Sequence, residues 1–219
     1  GFRPASIGQE RLFRSWGMKP HDYAGEIVVD LGAGSRLRSA FFEDAKLVVV
    51  EPMAEALLPH VGHLSHMNFN DSNVVWQLYG MPAEFRICPV EGLASLVMVI
   101  NVLDHTWSPE RIFRSARLLL RSCSMGQALM VLSVDVGRKP TLGHPHSMSR
   151  RWVHQQANGT DLELVASFQQ DIINDRGRLQ FSYDGSGGVA WTFIYRRRCK
   201  GLPPYDKLTP GLRRLIGAG

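Results

Sequence analysis

The order of apolar runs predicts an α/β protein: a three-layer sandwich whose seven-stranded, mostly parallel sheet closes with a C-terminal antiparallel strand. Three observations carry this. Short β-branched runs alternate with stretches of helical spacing through most of the chain. The first run, Val28-Val29-Asp30-Leu31, passes directly into Gly32-Ala33-Gly34-Ser35, and the second, Val48-Val49-Val50, stops at Glu51-Pro52, 19 residues beyond Gly32. The last two long runs are separated by NDRGRLQFSYDGSGG, which holds turn signals and no helical spacing, so they pair antiparallel.

The elements follow in order. Residues 7–16 have Ile7, Leu12, Phe13 and Trp16 at helical spacing, and Gly17 and Pro20 stop that helix. A strand at 27–31 enters the glycine turn, a helix over about 35–42 follows, then a strand at 47–51 and a helix over roughly 53–61. Val74–Tyr79 and Leu93–Asn101 read as the third and fourth strands. Ser108-Pro109-Glu110 opens a helix that runs to about Arg121. The hydroxyl can cap it, proline suits its first position, and the acid faces its positive end. Ala128–Val136 is the fifth strand, 149–157 a further helix, and 162–171 and 189–197 the closing strand pair.

Composition narrows the function classes. With 219 residues, 44% apolar and 21% charged, the chain fits one globular domain with a substantial core. We expect that domain over 1–197, including the helical segment at 7–16, with a basic tail over 198–219. The longest apolar run, Leu93–Ile100, is too short to span a bilayer, and the opening residues, with Arg3, Glu10, Arg11 and Arg14, show no secretory pattern. Cys88, Cys123 and Cys199 are odd in number and have no metal-type spacing, so free thiols in a reducing cytoplasm are expected. The net charge of +5 is concentrated at Arg196, Arg197, Arg198, Lys200, Lys207, Arg213 and Arg214. That cluster reads as a solvated tail or as a contact for a phosphate-bearing partner.

The glycine turn and the later acid suit a cofactor that carries adenosine. Glycines let the backbone approach a ligand closely, and a carboxylate after the second strand can accept both hydroxyls of a ribose. A third glycine is missing, since its place holds Leu37, and the acid at position 30 would sit beside phosphate charge in a dinucleotide site. A cationic ligand suits that acid better than a pyrophosphate does. From about residue 7 to 197 the chain resembles the class I S-adenosylmethionine-dependent methyltransferases, a Rossmann-like fold, and is most similar to their small-molecule type.

The resemblance lies in Asp30-Leu31-Gly32-Ala33-Gly34, in Glu51, in Pro82-Ala83-Glu84 after strand three, and in Asn101-Val102-Leu103-Asp104-His105 leaving strand four. It implies S-adenosyl-L-methionine as cofactor. Asp30, Gly32, Ala33 and Gly34 would seat the methionine end, Glu51 and Pro52 the ribose, and Ala83 and Glu84 the adenine. Asn101 to His105 would lie under the reactive methyl group, with Asn101 and Val102 against the cofactor. The chain departs from the pattern at Arg36, where many relatives have a small residue, and at Pro82, where an aspartate often meets the adenine amino group.

A base is needed only where the acceptor is a hydroxyl or a protonated amine, and histidine suits that role at neutral pH. His105 is best placed for it or for simple packing. His144 and His146, in Arg138–His146 after strand five, could orient or deprotonate an acceptor, and Trp16 and Trp107 could wall its pocket. His60-x-x-His63-x-x-His66 is interrupted by Gly62 and has no cysteine near, so no metal is expected. Leu202-Pro203-Pro204-Tyr205 resembles a base-methylation motif but lies far from strand four, where that motif belongs. A small-molecule acceptor modified at oxygen or nitrogen is the leading expectation. A nucleic-acid methyltransferase, or a non-catalytic protein that binds the cofactor, are the alternatives.

Overall fold

The computed structural model describes residues 7–34, 37–54, 68–69, 73–170, 172–173, 179–183 and 187–199. Its main sheet contains β1 (Ile27–Leu31), β2 (Lys46–Val50), β3 (Asn68–Phe69), β4 (Asn73–Tyr79), β5 (Leu96–Ile100), β6 (Leu129–Val136), β7 (Leu162–Gln169) and β10 (Val189–Arg197). The spatial order is β3-β4-β2-β1-β5-β6-β10-β7. The pairings β4–β2–β1–β5–β6 are parallel, while β10 runs antiparallel to both β6 and β7. The seven expected strands are therefore present, and the two-residue β3 adds an antiparallel edge. A two-strand ribbon, β8 (Ile172–Ile173) with β9 (Leu179–Gln180), occupies the turn-rich segment before β10.

Strand period sorts the core into two faces. Val28, Leu47, Val49, Leu96, Met98 and Val131 meet Leu12, Phe13 and Trp16 of helix α1 (Ile7–Ser15) and its C-terminal turn. Val29, Leu31, Val48, Val97, Val99, Met130 and Leu132 meet α2 (Pro109–Leu119) and α3 (Arg150–Ala157), through Ile112, Phe113, Ala116 and Val153. The result is three layers around a buried sheet. The chain builds outward from β1 to β2 and β4, then crosses back to β5 and β6 on the other side. That reversal opens a crevice at the carboxyl ends of β1 and β5, where open α/β sheets bind ligands.

Several local expectations are corrected. The helix expected over 35–42 is a 3₁₀ turn at Arg38–Phe41, entered through Leu37 at φ +36°. Polar anchors decide this: the Asp30 carboxylate accepts the Ser39 N–H and the Glu51 carboxylate accepts the Gly34 N–H, which leaves too little chain for an α-helix. Phe41 and Phe42 then pack on Phe13. The helix expected from residue 53 lies outside the described residues beyond Ala54, as do the His60–His66 and Leu202–Tyr205 signals and nearly all of the basic tail. Ser108 does not cap α2 with its hydroxyl, which bonds the Glu110 carboxylate instead. Ser149 does cap α3, accepting the Trp152 N–H.

The cysteine expectation also fails. Cys123 and Cys199, 76 residues apart in sequence, form a disulfide, and only Cys88 is free. The pairing follows from topology: antiparallel β10 returns the chain to the start of β6, beside the turn at Cys123–Met125. The thiol argument for a reducing compartment therefore lapses. No helix among the described residues is long and apolar enough to cross a membrane.

Candidate active site

The turn after β1 is shaped by backbone demands that only glycine meets. Gly32 has φ +71°, and a Cβ there would stand 2.6 Å from Val102 Cγ2 and 2.8 Å from Val102 Cγ1. The turn therefore packs directly on the residue leaving β5. Gly34 is also left-handed, at φ +62°, but a Cβ there would meet nothing within 4 Å. One glycine closes the turn on its neighbour, and the other faces open space.

Acids surround this turn. Asp30 is buried, at 2% exposure, and holds Ser39 N–H through Oδ2 at 3.2 Å. Burial pushes its carboxyl above the usual range, against the hydrogen bonding from Ser39 and the charge of Arg38, and the nearby Glu51 charge adds to the rise. Glu51 Oε2 accepts Gly34 N–H at 2.8 Å and Oε1 accepts Met53 N–H at 3.1 Å, with Pro52 exposed between them. Each carboxylate oxygen keeps a second lone pair for a hydroxyl. Ala33 is buried.

Across the sheet, Ala83 is buried against the β1–β2–β5 face, and Glu84 Oε1 accepts the Trp107 N–H at 2.9 Å. That bond ties the loop after β4 to the loop after β5. Asn101, the first residue past β5, is held in the left-handed region at φ +56° while its N–H donates to Ser133 O. Its buried Oδ1 accepts no hydrogen bond from the described residues. Strain together with an orphaned acceptor is a combination that collects at ligand sites.

Two of the three expected histidines, His105 and His144, converge on one acid. Asp104 is wholly buried, and its Oδ2 lies 2.7 Å from His144 Nδ1 and 4.0 Å from Arg138 Nη1. Arg138 is itself 3.9 Å from buried Asp135. His105 stacks obliquely on His144, with ring centroids 3.8 Å apart, and its Nδ1 donates to Gly143 O at 2.9 Å. His146 stands apart and donates through Nε2 to Thr106 O. Trp107 is 93% exposed at this rim, with Leu142 of the next loop also fully exposed. Trp16, by contrast, is completely buried, donating its indole N–H to Gln170 Oε1. It packs the core and cannot wall an open pocket.

Sequence reading held Asp104 within the segment leaving strand four and Arg138 within the loop after strand five without giving either a role of its own, and it passed over Asp135. Asp104 is the acid that His105 and His144 meet, and Arg138 and Asp135 add to its charge environment. A charged residue in the apolar run Val134-Asp135-Val136 was the available signal. Arg38 was also missed: its guanidinium donates to Ile100 O and lies over the Tyr183 ring. Burial pushes the Tyr183 hydroxyl up to about 12.

The architecture matches solved structures at low identity. A S-adenosylmethionine-dependent methyltransferase from Aquifex aeolicus superposes with a TM-score of 0.57 at 10% identity, over 89% of this chain and 91% of that one. The 1,6-didemethyltoxoflavin-N1-methyltransferase of Burkholderia thailandensis, whose structure holds 1,6-didemethyltoxoflavin and S-adenosylhomocysteine, gives 0.55 at 15% identity, over 90% and 78%. An arsenic(III) S-adenosylmethionine methyltransferase from Chlamydomonas reinhardtii gives 0.52 at 16% identity, over 84% and 67%. No protein-family model matches the chain, and no curated protein matches it. The fold is that of the class I S-adenosylmethionine-dependent methyltransferases.

Proposed function

We propose that the protein is an enzyme that transfers a methyl group from S-adenosylmethionine to an oxygen or nitrogen of a small-molecule acceptor. The observation that carries this reading is the crevice between the ends of β1 and β5. There the Gly32–Gly34 turn packs on Val102 and opens on empty space at Gly34, Glu51 holds the Gly34 N–H, and the buried Asn101 Oδ1 accepts no hydrogen bond from the described residues. These groups are acceptors and negative charges, which suit a ligand carrying a sulfonium and an ammonium. S-adenosylmethionine supplies an electrophilic methyl group on a cationic sulfur. Asp30, Gly32, Ala33 and Gly34 seat the methionine end, Glu51 and Pro52 the ribose, and Ala83 and Glu84 the adenine edge. Asn101 and Val102 form the floor under the methyl group.

Holding acceptor and donor in line replaces a bimolecular encounter, which can supply much of such a rate enhancement. His105 and His144 stand where an acceptor heteroatom would lose its proton, with His146 bracing the loop and Trp107 at the rim. The neighbours' names include nitrogen and arsenic as methyl acceptors, so the fold by itself does not fix the acceptor. Calorimetry with S-adenosylhomocysteine and with NAD tests the cofactor: binding of NAD alone would overturn the reading. Release of S-adenosylhomocysteine across a metabolite library then tests turnover, and cofactor binding with no turnover on any acceptor would favour a non-catalytic binding protein.

A further inference from the structure

We infer that Asp104, His105 and His144 form a site for a divalent transition-metal ion, to which the acceptor's oxygen or nitrogen is ligated. Each residue offers one ligand atom, and the three atoms lie within 4.8 Å of one another. Asp104 Oδ1 is buried and accepts no hydrogen bond from the described residues, although its partner oxygen is well engaged. It faces His105 Nε2 at 3.9 Å. Because His105 Nδ1 donates to the Gly143 carbonyl, the neutral ring carries its lone pair on Nε2. Two lone pairs therefore confront each other across a gap that only a proton or a cation can satisfy.

A cation fits better than a single shared proton, because three ligand atoms converge there. Two ligands of a tetrahedral ion, each at about 2.1 Å, stand about 3.4 Å apart, so closing this pair needs a shift of about half an ångström. The Gly143 carbonyl behind His105 is the outer contact that orients a ligating imidazole. Among the described residues, two buried carboxylates, Asp104 and Asp135, stand beside the single guanidinium of Arg138, which favours an added cation. Two imidazoles and one carboxylate suit zinc, iron or cobalt more than magnesium or calcium, and three protein ligands leave a position open. An acceptor hydroxyl taking that position would lose its proton to water at lower pH and keep its electron pair for the methyl carbon.

The inference rests on placing acceptor activation at this edge, yet its test is separate from cofactor binding. The untagged full chain is freed of metal, titrated with Co²⁺, and followed by visible d–d absorption, with metal content measured after dialysis. One Co²⁺ per chain is expected, with His105→Ala and His144→Ala each weakening it at least 100-fold and His154→Ala, on α3 against Phe193, leaving it unchanged. Circular dichroism confirms that the variants fold; exposed His105 keeps one informative variant if His144→Ala does not. Absence of d–d bands in the parent protein, or uptake that survives His105→Ala, overturns the metal site. S-adenosylhomocysteine calorimetry on the same samples separates the two ideas: cofactor binding without cobalt sinks only the metal.

Discussion

Gly32→Ala and Gly34→Ala look alike in sequence and should behave differently. Both residues sit in the left-handed region, which costs a residue bearing a Cβ about 1–2 kcal/mol. At Gly34 that is the whole cost, because the new methyl meets nothing within 4 Å. At Gly32 the methyl would sit 2.6 and 2.8 Å from the two Val102 methyls, and relieving such overpacking in a tight core adds about 1–3 kcal/mol. For a chain of this length about 1 kcal/mol moves the melting temperature by roughly 2–4 °C. Gly32→Ala should therefore melt about 10 °C below the parent, and Gly34→Ala about 5 °C below. The assay is urea and thermal unfolding of both variants, of Val102→Ala, and of the Gly32→Ala/Val102→Ala pair. The double variant should recover the overlap as a coupling of about 1–3 kcal/mol. Additivity within about 0.5 kcal/mol would refute the packing argument. Gly34→Ala should nevertheless weaken S-adenosylhomocysteine at least 10-fold, since its methyl enters the ligand space; undiminished affinity would move the cofactor elsewhere.

Other expectations follow from the same geometry. Glu51→Gln replaces a charged acceptor of two backbone amides and, in the proposed function, of the ribose, and hydrogen bonds to charged groups are worth about 1.5–3 kcal/mol. Affinity for S-adenosylhomocysteine should fall about 10- to 100-fold, and a change under about twofold would show Glu51 misassigned. Asp30→Asn probes pH. Burial raises the Asp30 carboxyl above its ordinary 3.8, so the native state binds this proton more tightly than the unfolded chain, and the charged form costs stability above the raised value. The variant should thus be the more stable at pH 8, with its advantage shrinking as pH falls through the raised value toward 3.8; a gap independent of pH would contradict the burial argument. Thiol titration in denaturant should find Cys88 alone before reduction, and all three cysteines after it. Reduction should lower stability by about 2–4 kcal/mol, as for other bonds closing long loops, and a melting point that does not move would show the tether to be slack.

The strand ends were legible because each buried strand is a β-branched run and its boundary is chemically marked. Asp30, Gly32, Gly34 and Glu51 lie within residues of their strands, so locating the strand located the residue. Asn101 and Val102 were found the same way, although nothing local foretold that Val102 would fill the space above Gly32. The turn at 35–42 was misjudged because helical spacing cannot register that Asp30 of β1 captures the Ser39 amide while Glu51, past β2, holds Gly34 just ahead of the turn. Trp16 was misplaced for a related reason: an amphipathic helix shows which side is apolar but not whether that side meets core or pocket. The Cys123–Cys199 pair was invisible because it depends on β10 running antiparallel past β6.

By itself the sequence determined the layered α/β order, the acid–glycine turn and the second acid, since each is written in residues close along the chain. Tertiary structure alone decided what gathers at the far side of the crevice. Asp104 and His105 leave β5, while His144, Arg138 and Asp135 belong to β6 and its loop. They meet because β5 and β6 pair in parallel and deliver their carboxyl ends to the same edge. A separation of 40 residues between Asp104 and His144 collapses to 2.7 Å by that pairing, and spacing along the chain carries no trace of it.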